Sequence, residues 1–276
     1  MRLIKILTIL LAARAAILGQ PVAGQDAREL LNGVLWAQSA VEHDAAYEQA
    51  YRQARIMLDR ARKDKSWTAA IEQSPGYEKL PPAVILDIDE TILDNSPEEA
   101  EKVFRGDRAD LWESWVRLEH AAALPGALEF TRYAAAKGVE VFYVTNRDAV
   151  SKPATMRTLD RLGFPLKRAA GSIYCRGERP EWDADKGSRR AAIAQKYRIL
   201  LLVGDDLGDF LSGVRVSPEE RRKLAASYSS RWGERWIVLP NPMYGSWESA
   251  LYGNDRSLST AQQVHRKLEQ LRPMQN

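Results

Sequence analysis

The stretch Ala83-Val84-Ile85-Leu86-Asp87-Ile88-Asp89-Glu90-Thr91 decides the fold. It follows Pro81-Pro82, and its four consecutive apolar residues read as a short strand buried on both faces. The run then ends in carboxylates. Similar apolar runs recur at Val139-Glu140-Val141-Phe142-Tyr143-Val144, Ser172-Ile173-Tyr174-Cys175, Ile199-Leu200-Leu201-Leu202-Val203 and Trp236-Ile237-Val238-Leu239. Helical stretches at 126–137, 149–162 and 186–197 lie between them, the first two stopped by Gly138 and Gly163. Strands alternating with helices predict right-handed crossovers and an α/β fold, a doubly wound parallel sheet with helices on both faces. Ligands of such sheets sit at the carboxyl ends of the strands.

Three strand ends are polar. The first runs into Asp87-Ile88-Asp89, the second into Thr145-Asn146-Arg147-Asp148, and the fourth into Gly204-Asp205-Asp206-Leu207-Gly208-Asp209. A parallel sheet gathers these ends in one crevice. Carboxylates that close repel unless a cation sits among them, and oxygen-only donors without His or Cys favour a hard ion such as Mg2+ over zinc. Magnesium in turn points to a phosphate-bearing substrate. Asp87 and Asp89 are two residues apart, so on an extended chain both point the same way, one placed for attack and the other for proton transfer.

At these residues the sequence resembles a known family. Asp87-Ile88-Asp89-Glu90-Thr91-Ile92-Leu93-Asp94-Asn95 is similar to the DxDxT motif of the haloacid dehalogenase (HAD) superfamily, in the form found in class C nonspecific acid phosphatases (subfamily IIIB, acid phosphatase and 5'-nucleotidase). Val144-Thr145-Asn146-Arg147 resembles the second motif, Lys186 in Asp185-Lys186-Gly187-Ser188-Arg189-Arg190 the third, and Gly204-Asp205-Asp206-Leu207-Gly208-Asp209-Phe210 the fourth. Pro240-Asn241-Pro242-Met243-Tyr244-Gly245-Ser246-Trp247 resembles the C-terminal signature. The likeness covers residues 80–252.

The resemblance implies that Asp87 forms an aspartyl-phosphate and that Asp89 is the general acid and base. It implies that Thr145 and the amide of Asn146 bind phosphate and that Lys186 neutralises nucleophile and phosphate. The metal would be held by Asp87, the Asp89 carbonyl and Asp205, with Asp206 or Asp209 acting directly or through water. Tyr244 would contact the organic part of the substrate, joined by an aromatic residue of the cap, Trp112 or Trp115. Stacking on a nucleobase would then favour nucleoside monophosphates. Arg189 and Arg190 read as surface or ion-pair residues. His43, His120 and His265 lack partners at metal or triad spacing and read as structural, with His120 the one that could reach the pocket from the cap.

Outward from this core, 55 residues separate Asp89 from Thr145, more than a strand-to-strand link needs, so 96–124 is expected to form a small cap. Residues 26–65 hold one Gly and no Pro. They carry apolar stripes at Leu30, Val34, Ala37, Val41 and Ala45 and at Leu31, Leu35, Tyr47, Tyr51, Ala54 and Leu58, which predict one or two amphipathic helices. The expected division is a leader at 1–24, a helical arm at 25–79, the phosphatase core at 80–252 and a helical tail at 253–276.

The first 24 residues, with basic Arg2 and Lys5, an apolar stretch and small residues near Ala23-Gly24, read as a secretory signal interrupted by Arg14. An uncleaved N-terminal anchor is the alternative. Periplasmic or secreted placement is expected, with no stable membrane anchor, because no Cys stands at the leader's end to take a lipid. Of the 276 residues 40 are Lys or Arg and 37 are Asp or Glu; without the leader both counts are 37, so nothing calls for a nucleic-acid partner. Cys175 is alone and forms no internal disulfide. The expected partner is a small-molecule phosphomonoester; a homo-oligomer is compatible with the sequence, which sets no oligomeric state. The functional expectation is an exported, Mg-dependent acid phosphatase. The alternative is a catalytically silent or narrow-specificity relative that binds phosphate ligands. A dehalogenase would lack the acid at Asp89, and Lys102 is a poor candidate for the cap lysine of a phosphonatase.

Overall fold

The computed structural model describes residues 29–167 and 171–274. The leader read at 1–24 lies outside the described residues. The five apolar runs form one parallel sheet: β1 (Pro82–Leu86), β4 (Glu140–Asp148), β5 (Ile173–Arg176), β6 (Arg198–Gly204) and β7 (Trp236–Val238), in the order β5-β4-β1-β6-β7. Strand β1 is central, which is why its residues are apolar without alternation. Val84 and Leu86 enter one core with Tyr51, Leu58, Phe130, Val141, Tyr143 and Leu159, while Ala83 and Ile85 enter the other with Phe142, Val144, Ile193, Phe210 and Trp236. Helices on both faces cover the sheet, as the alternating pattern predicts.

The arm is two helices, α1 (Leu31–Ser39) and α2 (Val41–Lys63), broken where Ala40 turns extended at ψ 126°. The break splits the predicted stripes. Tyr47, Tyr51, Ala54 and Leu58 of α2 are buried in the main core, whereas Leu31, Leu35 and Val41 are 39%, 49% and 77% exposed. Truncating a buried side chain such as Leu58 to Ala typically costs about 2–5 kcal/mol, so α2 is part of the fold and not an appendage.

The insert after β1 forms a short hairpin, β2 (Leu93–Asp94) against β3 (Ala122–Ala123), with α3 (Ser96–Arg105) and α4 (Leu111–Leu118) between them. These two helices, the cap, fall within the stretch 96–124. Helices α5 (Ala127–Ala136), α6 (Lys152–Leu162) and α7 (Gly187–Ala194) occupy the three predicted stretches. Gly163 ends α6 in the left-handed region at φ 81°, where a Cβ is disfavoured. The chain closes with α8 (Pro218–Ser227), α9 (Ser246–Leu251) and α10 (Thr260–Glu269); α8 was not anticipated, although its capping box at Ser217 and Glu220 was readable. Among the described residues no helix is long and apolar enough to cross a membrane.

Candidate active site

The three polar strand ends do meet. Leu86 of β1 pairs with Val203 of β6, and the Asp87 amide donates to the Val203 carbonyl at 3.0 Å, which sets Asp87 beside Gly204-Asp205. A short turn at Leu207–Asp209 then folds back because Asp206 caps it: its Oδ1 accepts from the Gly208 amide at 2.8 Å, and Asp209 Oδ2 accepts from the Asp206 amide at 2.9 Å. Asp209 therefore lies against the strand end. A Cβ on Gly204 would stand 2.1 Å from Asp209 Oδ2, so glycine is required there for this carboxylate to take its place.

Lys186, at the start of α7, reaches into the cluster. Its Nζ donates to Asp87 Oδ1 at 2.5 Å and to Asp209 Oδ1 at 2.6 Å, and all three side chains are more than nine-tenths buried. Asp87, Asp205 and Asp209 each offer a carboxylate oxygen, and these oxygens lie within 4.8 Å of one another. Burial pushes the Asp87 carboxyl up to about 7, opposed by the Lys186 ammonium and helped by Asp209 and Asp89. Burial also raises Asp205, with Asp209 and Asp87 adding to it, and raises Asp209 against the pull of Lys186. Burial works to lower Lys186, but Asp209 and Asp87 outweigh it and hold the ammonium above its ordinary range. Three carboxylates and one ammonium leave excess negative charge in a buried site. Oxygen-only donors of this kind fit a divalent metal ion.

Asp205 is aimed from two sides, by the Thr91 hydroxyl on Oδ1 at 3.1 Å and the Asn241 amide on Oδ2 at 2.9 Å. Asp206 differs. Its remaining oxygen accepts from the Ser246 amide at 2.6 Å and its Oδ1 from the Ser246 hydroxyl at 2.6 Å, so its carboxylate is engaged in fastening α9 to the turn. It lines the cavity but is not one of the three clustered carboxylates.

Asp89 turns toward the cap. Arg147 donates to its Oδ1 from Nη2 at 2.7 Å and from Nε at 3.0 Å, Asn95 Nδ2 donates at 3.0 Å, and the Thr145 hydroxyl lies 3.4 Å from Oδ2. Arg147 reaches this position because the β4–β5 pairing is irregular: Thr145 pairs with Cys175 and Asp148 with Arg176, leaving Asn146 and Arg147 as a bulge. Bulges at sheet ends re-aim side chains in this way. No role for Arg147 follows from the sequence alone. Thr145 is fully buried, its hydroxyl accepting from the Arg147 amide at 3.0 Å, and Asn146 is exposed on the cavity wall.

Arg189 departs from the expectation of a surface or ion-pair residue, whereas Arg190 meets its ion-pair alternative but not its surface one. Both are fully buried. Arg189 donates to the Thr145 carbonyl at 2.5 Å and to Asn146 Oδ1 at 2.7 Å, bracing the second motif. Arg190 does form an ion pair, with Glu72 at 2.9 Å, and also donates to the Gly208 carbonyl at 2.8 Å. The carbonyls of Thr145 and Gly208, far away in sequence, help hold these guanidinium groups, which no local pattern reveals.

A cavity of about 900 Å³ opens over the carboxylates, walled by Trp112, Lys102 and Glu99 of the cap, by Tyr244, and by Gln263 and Lys267 of α10. Of the two cap tryptophans, Trp112 lines it and stands 5.3 Å from the Arg147 guanidinium, ring to cation. Trp115 does not line it: it packs against the main core and donates its Nε1 to Asn95 Oδ1 at 2.8 Å. His120 is exposed and does not line the cavity, His265 is exposed, and His43 is packed between Trp36 and Tyr47.

Comparison with known proteins gives matches to both the sequence and the fold. Residues 22–247 match the family model described as HAD superfamily, subfamily IIIB (acid phosphatase). Among solved structures, the class C acid phosphatase from Bacillus anthracis superposes with a TM-score of 0.81 at 32% identity, covering 91% of this chain and 100% of that one. The same enzyme with tungstate bound gives a TM-score of 0.79 at 32% identity, covering 90% and 99%.

Proposed function

Because the chain belongs to the HAD superfamily, subfamily IIIB acid phosphatases, and is thus a phosphomonoester hydrolase, we propose that it is an exported enzyme using Mg2+ and an aspartyl-phosphate on Asp87. The observation that carries the mechanism is Lys186 Nζ held between Asp87 and Asp209, beside Asp205, at the carboxyl edge of β1 and β6.

In this reading the Asp87 carboxylate attacks phosphorus while the bond to the ester oxygen breaks, and Asp89 gives that leaving oxygen a proton. Asp89 then takes a proton from the water that attacks the acyl-phosphate, which returns Asp87 to its carboxylate. Arg147 and Asn95 hold Asp89 at fixed reach for both transfers. Lys186 offsets charge on the phosphoryl oxygens, and Thr145 with the Asn146 amide completes their cradle. A magnesium ion held by Asp87, Asp205 and Asp209 would neutralise charge on the phosphoryl group and orient it. Asp206 is left to fasten the loop.

Nucleoside monophosphates are the proposed substrates, supported by the two aromatic side chains, Trp112 and Tyr244, on the wall of one cavity with the carboxylates. The basic, apolar leader supports export. The test is phosphate release by the protein from a nucleoside monophosphate panel and p-nitrophenyl phosphate, before and after chelation, with magnesium added back. Loss and recovery of turnover support the reading. Turnover indifferent to exhaustive chelation defeats the metal assignment, and a flat panel defeats the nucleotide preference.

A further inference from the structure

Helix α2 brings two hydroxyls to the loop that carries the first motif. Tyr47 and Tyr51 lie one turn apart on its buried stripe, 1% and 3% exposed. The Tyr51 hydroxyl donates to the Thr91 carbonyl at 2.6 Å. The Tyr47 hydroxyl lies 2.5 Å from the Glu90 carbonyl and 3.1 Å from the Pro240 carbonyl. A phenol has one proton to donate, so Tyr47 sets a single donor between two carbonyl oxygens from remote segments.

Both segments aim carboxylates. Glu90 follows Asp89 directly, and Pro240 precedes Asn241, whose side-chain amide holds Asp205 at 2.9 Å. Glu90 itself stands at φ 51°, in the left-handed region that a residue with a side chain enters at a cost. Such a conformation persists where its surroundings over-determine it. Here the Glu90 amide donates to the Leu93 carbonyl at 3.0 Å, its carboxyl accepts from the Asn95 amide at 2.8 Å, and its carbonyl accepts from Tyr47. The ring of Tyr47 packs 4.7 Å from His43, a contact that phenylalanine could supply equally well. What only the hydroxyl supplies is the donor for the two carbonyls.

We infer that Tyr47, seconded by Tyr51, is a positioning residue of the phosphatase reaction. Its hydroxyl pins the turn after Asp89 against the segment that holds Asp205, so the arm is part of the framework of the active site. The inference rests on the roles proposed above for Asp87 and Asp89.

The test compares Tyr47→Phe in the full chain with Tyr133→Phe. Tyr133 ties the same helix to α5 through Asp59 at 2.7 Å, away from the first motif. Both variants lower Tm. Tyr47→Phe alone is expected to lower kcat for p-nitrophenyl phosphate by about 10-fold with KM changed less than about 2-fold, since misplaced groups cost turnover more than binding. It alone is also expected to speed hydrogen exchange of the loop at 87–95. Equal kcat in the two variants, or unchanged exchange of that loop, overturns the inference. If the unaltered chain shows no turnover, the phosphatase roles fail, and loop exchange still decides whether Tyr47 pins the turn. Should Tyr47→Phe fail to fold, Tyr51→Phe is judged by the same two readouts against the same control.

Discussion

Arg147 grips Asp89 with two nitrogens, Nη2 at 2.7 Å and Nε at 3.0 Å from Oδ1, with Nε also 3.3 Å from Oδ2. Arg147 is 3% exposed, and its guanidinium is itself fixed by Thr155 at 3.1 Å and by the face of Trp112. A lysine has neither the planar fork nor the reach to repeat this pattern. Arg147→Lys is therefore expected to lower kcat by about 10²-fold, because Asp89, the proposed proton-transfer group, loses its fixed position. Steady-state kinetics checks this, with circular dichroism confirming the fold; a variant of nearly full activity would show that Asp89 needs no such grip.

Asp87→Asn tests the nucleophile. The amide keeps the side chain's size, and Lys186 retains Asp209 at 2.6 Å, so the fold should survive. Turnover should fall by on the order of 10⁴-fold or more, the scale on which loss of a nucleophile is felt. Substantial residual phosphate release by protein purified free of other phosphatases would place the nucleophile elsewhere.

Neighbouring carboxylates at 205 and 206 should fail in different ways. Asp205 belongs to the cluster of three, and Asp205→Asn should raise the magnesium concentration for half-maximal activity by about 10- to 100-fold. Asp206 holds the Gly208 and Ser246 amides, and Asp206→Ala should lower Tm by several degrees, since a lost cap costs about 0.5–2 kcal/mol. Magnesium titration and thermal melts on both variants check the contrast, which disappears if the two carboxylates act alike.

How much of this could be read from sequence depends on how local the deciding interaction is. The runs at Val84, Val141 and Leu201 are flanked by turn residues and carry no polar alternation, so the sheet followed from them directly. The site carboxylates followed because parallel strands must bring their ends together. Arg189 was beyond reach, since its guanidinium is held by the Thr145 carbonyl, 2.5 Å away but 44 residues back in the chain. Arg147 needed the bulge in β4, which the pattern of Val144-Thr145-Asn146-Arg147 does not show. Asp206 was legible in part: Asp at 206 and again at 209 is the spacing of a capping box, a signal that the motif reading overrode. Trp112 and Trp115, three apart on one helix, were indistinguishable until the helix had an orientation.

That orientation gives opposite expectations for the two tryptophans. Trp112→Ala removes a ring from the cavity wall and should raise KM for aromatic phosphomonoesters about 5- to 100-fold, within the 1–3 kcal/mol typical of a stacked ring, with Tm little changed. Trp115→Ala removes core packing and frees Asn95, which itself holds Asp89, so Tm and kcat should both fall. Kinetics with p-nitrophenyl phosphate and a small aliphatic phosphate, run beside melts, separates the cases. Equal KM effects on both substrates would mean that Trp112 does not touch the organic group.

Glu98 of α3 supplies a pH signature away from the clustered carboxylates. It is 2% exposed, and burial raises its carboxyl to about 7 against the opposing pull of Lys102, 3.0 Å away, with Glu99 adding to the rise. The folded chain thus keeps a proton that the unfolded chain gives up near its ordinary value of 4.5. Any stability Glu98 contributes is present below that value and is lost as pH rises toward 7. Glu98→Gln removes the titration while leaving Lys102 its partner Glu99 at 2.8 Å. The Tm of Glu98→Gln relative to the unaltered chain should accordingly become more favourable between about pH 5 and pH 8. A difference that stays flat across that range would show that Glu98 ionises in the folded cap as it does in water.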